Sequence, residues 1–337
     1  MKLFRKSKDS QKSAKFKVQH SLFRILMEVL SKEMIRQWVL PTLTFATHGR
    51  PSAVEPVELV EVILYKLKSG CQWRLLPVKQ FFTGAPLTWQ GVYACFNAWR
   101  KDGSWQGVWL RLLRENGAHL DCSSVQLDGS HTPAKNGGEA VGYQGRKKAR
   151  TTTALFLTDN RGQPLACASP QAGNYHDTHQ LNALFGEICA SLEAANIPIA
   201  GLFLNADKAF DTKAFRQECA RRDIEANIPR NRRAADWQTD DDTPFDPELY
   251  ARRVVVEHAN AWLDGFKTLL VRYETSVGNW LAWHWLAFVV IFLRKINQKP
   301  PITLTSTLLR RTQPTVLLNW QSVVHSGGTR DASLRPA

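Results

Sequence analysis

At 337 residues, with 44% hydrophobic and 22% charged content, the chain can bury a large core and has room for two domains. Forty-four Lys and Arg against 30 Asp and Glu leave a net charge of +14, a surplus that points to a polyanionic partner, nucleic acid first. Six scattered cysteines without a Cys-x-x-Cys pair argue against a zinc module and a disulfide framework. The N-terminus lacks the apolar stretch of a signal peptide, and the longest apolar run, Trp280 to Leu293, falls short of the roughly 20 residues of a membrane span, so a cytoplasmic protein without a membrane partner is expected.

In chain order, residues 1–20 read as a flexible basic arm, with Lys2, Arg5, Lys6, Lys8, Lys12, Lys15 and Lys17 against the single acid Asp9. Residues 21–117 read as all-helical. A first helix opens at Ser21, and a second runs from Pro56 to Lys68 and stops at Ser69-Gly70. Thr88 caps a third, with Tyr93, Phe96 and Trp99 on its apolar side and Gln90, Asn97, Arg100 and Lys101 pointing elsewhere. A fourth ends at Gly117. Short helices with amide and basic side chains suit a helix-turn-helix reader of DNA, with those four polar residues as candidate contacts; a plain helical bundle has the same pattern.

From Cys122 the period becomes extended. SSVQLDGS predicts a short strand ending at Asp128-Gly129, followed by a basic loop, GYQGRKKARTT. A hairpin turning at Asn160–Gln163 comes next, then a long helix capped by Asp177. GLFLNAD predicts a buried strand ending at Asp207, with Asp211 as cap of the following helix. After a short strand, residues 229–246 read as a loop insertion. Tyr250 to Lys267 then predicts one helix with two faces. Tyr250, Arg253, Glu257, Asn260, Asp264 and Lys267 form a polar stripe, and Val255, Ala259, Trp262, Phe266 and Leu269 form an apolar one. An apolar helix spans Trp280 to Ile296, and residues 298–337 read as a tail. The order predicts an α/β catalytic domain over 122–297 built on one mixed sheet, preceded by the helical domain.

Asp128 and Asp207 close strands, where side chains converge on a rigid frame, and Glu257 lies on a helix face. Each Asp alone also suits a cap or turn. Clustered carboxylates repel one another unless a cation sits among them, and hard oxygens favour Mg²⁺ or Mn²⁺. Two ions roughly 3.5–4 Å apart suit phosphodiester chemistry, with Asp128 bridging them and Asp207 and Glu257 each completing one. Arg146, Lys147, Lys148 and Arg150, and Arg230, Asn231, Arg232 and Arg233, flank these elements. They could hold a DNA backbone or simply be solvated surface charge. His176-Asp177-Thr178-His179 fits a helix start better than a metal site, and Glu139 either binds metal or is exposed. No Gly-x-Ser-x-Gly is present to support a serine nucleophile.

These stretches resemble the DDE transposases of bacterial insertion sequences, in the branch of IS-five-like elements. The resemblance rests on LKSGCQWRLLP, TWQGVYACFNAWRKDG, QLDGSHTPAKNGG through GNYHD, GLFLNADKAFD and FDPELYARRVVVEHANAWLDGFK, in that order. It implies an RNase H-like catalytic domain and DNA-binding N-terminal helices. It also implies Mg²⁺-dependent cleavage at terminal inverted repeats of double-stranded DNA, strand transfer into target DNA, and a dimer or larger complex pairing two ends, in a bacterial, nucleoid-associated setting. The acid triad falls on Asp128, Asp207 and Glu257, and the Tyr-x2-Arg-x3-Glu signature on Tyr250, Arg253 and Glu257. Where the family carries Lys or Arg seven residues after the Glu, this chain has Asp264, and Lys267 stands one turn later as a substitute. A silent DNA-binding repressor and a nuclease that never joins ends are the alternative readings.

Overall fold

A computed structural model describes residues 29–45, 54–231 and 245–298. The basic arm, Ser21, Arg232, Arg233 and residues 299–337 lie outside the described residues. The chain bends at Val29 and Leu30, so the helix expected across 21–40 is interrupted. Ser31 is the cap, its hydroxyl accepting from the Met34 amide ahead of the turns Lys32–Met34, Ile35–Val39 and Leu40–Thr42. Helix α1, Pro56–Ser69, starts on a proline and ends at Gly70 in the left-handed region. Helix α2, Trp89–Lys101, is capped by Thr88 Oγ1, and α3, Ser104–Glu115, follows after two residues.

The sheet contains β1 (Val125–Pro133), β2 (Gly142–Gln144), β3 (Ala149–Thr158), β4 (Pro164–Cys167), β5 (Gln171–Ala172), β6 (Phe203–Ala206) and β7 (Glu225–Asn227). Strand β3 pairs antiparallel with β1, and β2, β4 and β5 also pair with β3. On the other side of β1, β6 and then β7 add in parallel. Parallel neighbours need crossovers, supplied by α4 (Leu181–Ala194) before β6 and α5 (Lys213–Arg221) before β7. This is the RNase H-like mixed sheet flanked by helices that the resemblance implies.

Several local expectations change. Strand β1 does not end at Asp128-Gly129: β3 offers partners as far as Thr151, opposite Pro133, so the strand continues. The basic loop is a hairpin, with Arg150 inside β3 and Arg146, Lys147 and Lys148 in the turn. Asp177 does not cap α4, which begins at Leu181 after Gln180 (φ +52°); its carboxylate turns to His131 instead. Thr212 caps α5, while Asp211 is buried, pairs with Arg216 and accepts from the Asn231 amide.

The long helix expected over 250–267 is broken. Asp246 caps α6 (Pro247–Ala251), a tight turn Arg252–Val254 follows, and α7 spans Val255–Asp264. At Phe266 the backbone is extended (ψ 106°), and a separate α8, Lys267–Leu270, begins. Val256, Ala259, Leu263 and Phe266 face the core, whereas Trp262 is 37% exposed, so the buried face is rotated from the stripe expected through Val255 and Trp262.

Helix α9, Val277–Gln298, is long and apolar enough by length and composition to cross a membrane, and most of it is buried inside the protein. Its rings bridge the two halves of the chain. Trp109 of α3 packs edge-on against Phe288 and Phe292, and Phe156 of β3 lies against His284 and Phe288. Trp109 Nε1 donates to the Leu165 carbonyl of β4 at 2.8 Å. The helical segment and the sheet therefore share one core rather than closing separate ones. His284, wholly enclosed, has its pKa pushed down to about 4 by burial.

Candidate active site

The parallel pair β1–β6 brings the two aspartates together. Val125, Gln126 and Leu127 pair with Leu204, Asn205 and Ala206, and there β6 stops. The next residues, Asp128 and Asp207, leave the last paired rung side by side. Asp207 turns the chain out of the strand, its Oδ1 accepting from the Lys208 amide. Asp128 stays within β1, opposite Phe156 on β3.

Helix α7 packs on β1, and the turn before it delivers the third partner. Arg253 Nη2 donates to Asp128 Oδ1 at 2.6 Å, with both side chains 19% exposed. The Nε of the same guanidinium is buried and has no hydrogen-bond partner among the described residues. Glu257, one turn on, is exposed, but its charge reaches Asp128. Burial raises the pKa of Asp128 above the usual carboxylate range, and the charges of Glu257 and Asp177 add to the rise. Arg253 and the Gly129 amide pull the other way. The Tyr250 pKa is raised chiefly by burial, with Arg253 opposing and the charges of Asp207 and Asp128 adding to the rise.

Two groups at the site were not assigned to it from the sequence. The first is an amide clamp. Asn205 on β6 and Asn227 on β7 are paired in register and buried, with Asn227 Nδ2 donating to Asn205 Oδ1 at 2.8 Å. Asn205 Nδ2 also donates to the Leu249 carbonyl, Asn227 Nδ2 to the Asp246 carbonyl, and the Asp246 amide to Asn227 Oδ1. Asp246 Oδ1 then accepts from the Glu248 and Leu249 amides. The clamp fixes the start of the Tyr250–Arg253 segment to the strand that carries Asp207. A signal was present: asparagine is disfavoured in a strand, and one inside an apolar strand must find a partner.

The second is Asp177, whose carboxylate packs against Gly129, next to Asp128. Its Oδ1 lies 3.1 Å from His131 Nε2, and His131 Nδ1 lies 2.7 Å from Thr153 Oγ1. The hydrogen bond to His131 holds the Asp177 pKa below the ordinary value, with help from the charges of His131, His176 and Arg146. The basic hairpin closes on this chain of contacts, Lys147 Nζ donating to the His131 carbonyl at 3.2 Å.

The other candidate residues are more dispersed. Arg146, Lys148 and Arg150 are exposed on the hairpin, and Arg230 is half-buried beyond β7. Gln90 and Lys101 are exposed on α2, while Asn97 and Arg100 are half-buried, with Arg100 donating twice to Asn97 Oδ1. Lys267 does not extend the stripe of Glu257: the break at Phe266 sets it against Gly70 at the end of α1. Asp264 is exposed. Glu139 is engaged, its Oε2 accepting from the Val277 amide at the start of α9.

The donor set suits a hard divalent cation, since Asp128, Asp207 and Glu257 are carboxylates and the half-buried Asp128 lies within the field of two further acids. The countercharge on Asp128 is Arg253, and among the described residues no three His, Cys, Asp or Glu side chains gather at metal-binding spacing. The chemistry of the donors fits a cation, and their present spacing is that of a charge-balanced acid site.

No curated protein matches the chain significantly. Among solved structures it is similar to a Mos1 transposase paired-end complex with the left transposon end, at 12% identity over 74% of this chain and 82% of that one, with a TM-score of 0.25. A pre-cleavage Mos1 transpososome is similar at 11% identity over 76% and 83%, again with a TM-score of 0.25. Overlap this loose carries no weight for the site. A family model described provisionally as IS4/5-family transposase matches residues 34–109. The transposase DDE domain model matches residues 116–292, more than half of the sequence and all of the sheet, Asp128, Asp207 and Glu257 included. By that match, the chain belongs to the transposase DDE domain family.

Proposed function

We propose that this transposase cleaves double-stranded DNA at the terminal inverted repeats of an insertion sequence and joins the freed 3′ ends to target DNA, with Asp128, Asp207 and Glu257 as its catalytic acids. The observation that carries the reading is the register of β1 on β6, which sets Asp128 beside Asp207, together with the Arg253–Asp128 bond that docks the segment bearing Glu257. The three acids are the residues that would hold Mg²⁺ or Mn²⁺, two ions in the expectation above. Divalent cations bound there would polarise the phosphate and favour ionisation of the attacking oxygen.

The chain's own residues have separate tasks. Arg253 balances the Asp128 charge. Tyr250 lies within the charge field of both aspartates. The turn at Arg146 to Lys148 supplies cations for the DNA backbone, and Gln90 and Lys101 are exposed for contacts from the helical region. Pairing of two ends would require a dimer or larger assembly on DNA.

The test is purified protein with a repeat-ended duplex and Mg²⁺ or Mn²⁺. Wild type is expected to nick the element end and join it. Asp207→Asn is expected to lose more than about 100-fold in nicking, since replacing a ligand costs more than disturbing the groups around it. Equal activity in that variant overturns the site. Nicking without joining indicates a nuclease, and binding without cleavage under both metals indicates a repressor.

A further inference from the structure

Beside the acids lies a surface that cleavage does not account for. Strand β3 pairs with β2 over residues 149–151 and with β5 over 152–153, so β2 abuts the segment following β5. A side chain at Gly142 would collide with Asn174, which shows how closely the hairpin meets that segment. Two tyrosines emerge at this junction. Tyr143, paired with Arg150 across the hairpin, is 61% exposed, and Tyr175 is 45% exposed. Tyr175 stacks on His179 at 4.0 Å between centroids, with the ring planes 8° apart. Two residues past Tyr175 is Asp177, whose carboxylate rests against Gly129 next to Asp128. The hairpin turn adds positive charge there: that of Arg146 reaches Asp177, and Lys147 Nζ donates to the His131 carbonyl.

Single exposed aromatics are ordinary on a protein surface. Two flat faces set among cations beside an acid site are a different arrangement. Duplex DNA hides its base faces in its own stack, so it would use only the cations. An unpaired strand offers base faces for stacking and phosphates for the charges.

We propose that Tyr143 and the Tyr175–His179 pair, set among Arg146, Lys148 and Arg150, bind an unpaired DNA strand next to the acids. The inference rests on the proposed action on DNA and names the form of DNA this surface takes. Each exposed tyrosine stacks one base, and the hairpin cations follow the backbone between them.

Fluorescence anisotropy of the full chain with a short oligothymidine and with a duplex of equal length tests this. Tyr143→Ala and Tyr175→Ala are each expected to weaken single-strand binding by about tenfold while leaving duplex affinity as it was. Tyr143→Phe and Tyr175→Phe keep the ring and are expected to bind as wild type. Melting curves check that the variants, changed only at exposed positions, remain folded. Alanine variants that bind the single strand as well as wild type overturn the proposal. Equal losses for both DNA forms, or a wild type with no single-strand binding at low salt, overturn it too. Because the measurement needs no cleavage, a wild type that binds the strand but never nicks a repeat-ended duplex would count against the proposed function and leave this surface standing.

Discussion

Asp128 carries a charge that its surroundings disfavour. It is mostly buried, and Glu257 and Asp177 repel it, so its folded pKa stands above that of the unfolded chain despite Arg253. A raised carboxylate makes its contribution below the unfolded pKa and loses it as pH rises through the folded value, so at neutral pH ionised Asp128 weakens the fold. Asp128→Asn is therefore expected to abolish nicking while melting at or above the wild-type temperature near neutral pH. The difference should close as the solution approaches about pH 4, where the unfolded-state Asp becomes protonated. A lower melting temperature for Asp128→Asn throughout would contradict this. At this scale the meeting of Asp128 and Asp207 was legible, because an acid directly after apolar strand residues is a local signal. Asp177 was not, since an Asp before a helical period reads as a cap, and nothing in the sequence announces His131 from across the sheet.

For the elements, the segment from Asp246 to Asp264 shows where periodicity misleads. The apolar and polar steps run on through the turn at Arg252–Val254 and past the break at Phe266, because spacing records side-chain type and not the backbone angle between two turns. What holds the segment in place is the buried Asn205–Asn227 pair. Asn205→Ala removes a donor to Leu249 and leaves Asn227 short of an acceptor, a local cost of about 1–3 kcal/mol. Hydrogen exchange is expected to speed up at the amides of residues 248–254 in this variant, while those of α9 stay protected. Unchanged exchange in α6 would show that the clamp does not restrain it. The length of β1 was also hidden, since its extension past Asp128 depends on partners 18 to 26 residues away on β3.

The mixed sheet of the whole molecule was foreseen from element order, and so was the helical region before it. Their common core was not, because Trp109, Leu165 and Phe288 meet only in space. Trp109→Ala removes a buried indole from both halves at once and is expected to cost about 3–5 kcal/mol. Far- and near-ultraviolet circular dichroism should then follow one transition moved to lower temperature. Two separate transitions would instead mean that the halves fold independently.

The position of α9 between α3 and β3 bears on how such proteins can diverge. An N-terminal segment that reads DNA could be exchanged between relatives as a cassette only if its underside carried no obligations. Here the underside of α3 is half of an aromatic interlock whose other half is encoded nearly two hundred residues later. A chimera that imports foreign helices ahead of residue 117 therefore has to import matching rings on α9 or lose its core. Under the DNA contacts proposed for α2, changes in recognition are expected to accumulate as point substitutions on its outer face rather than by wholesale replacement.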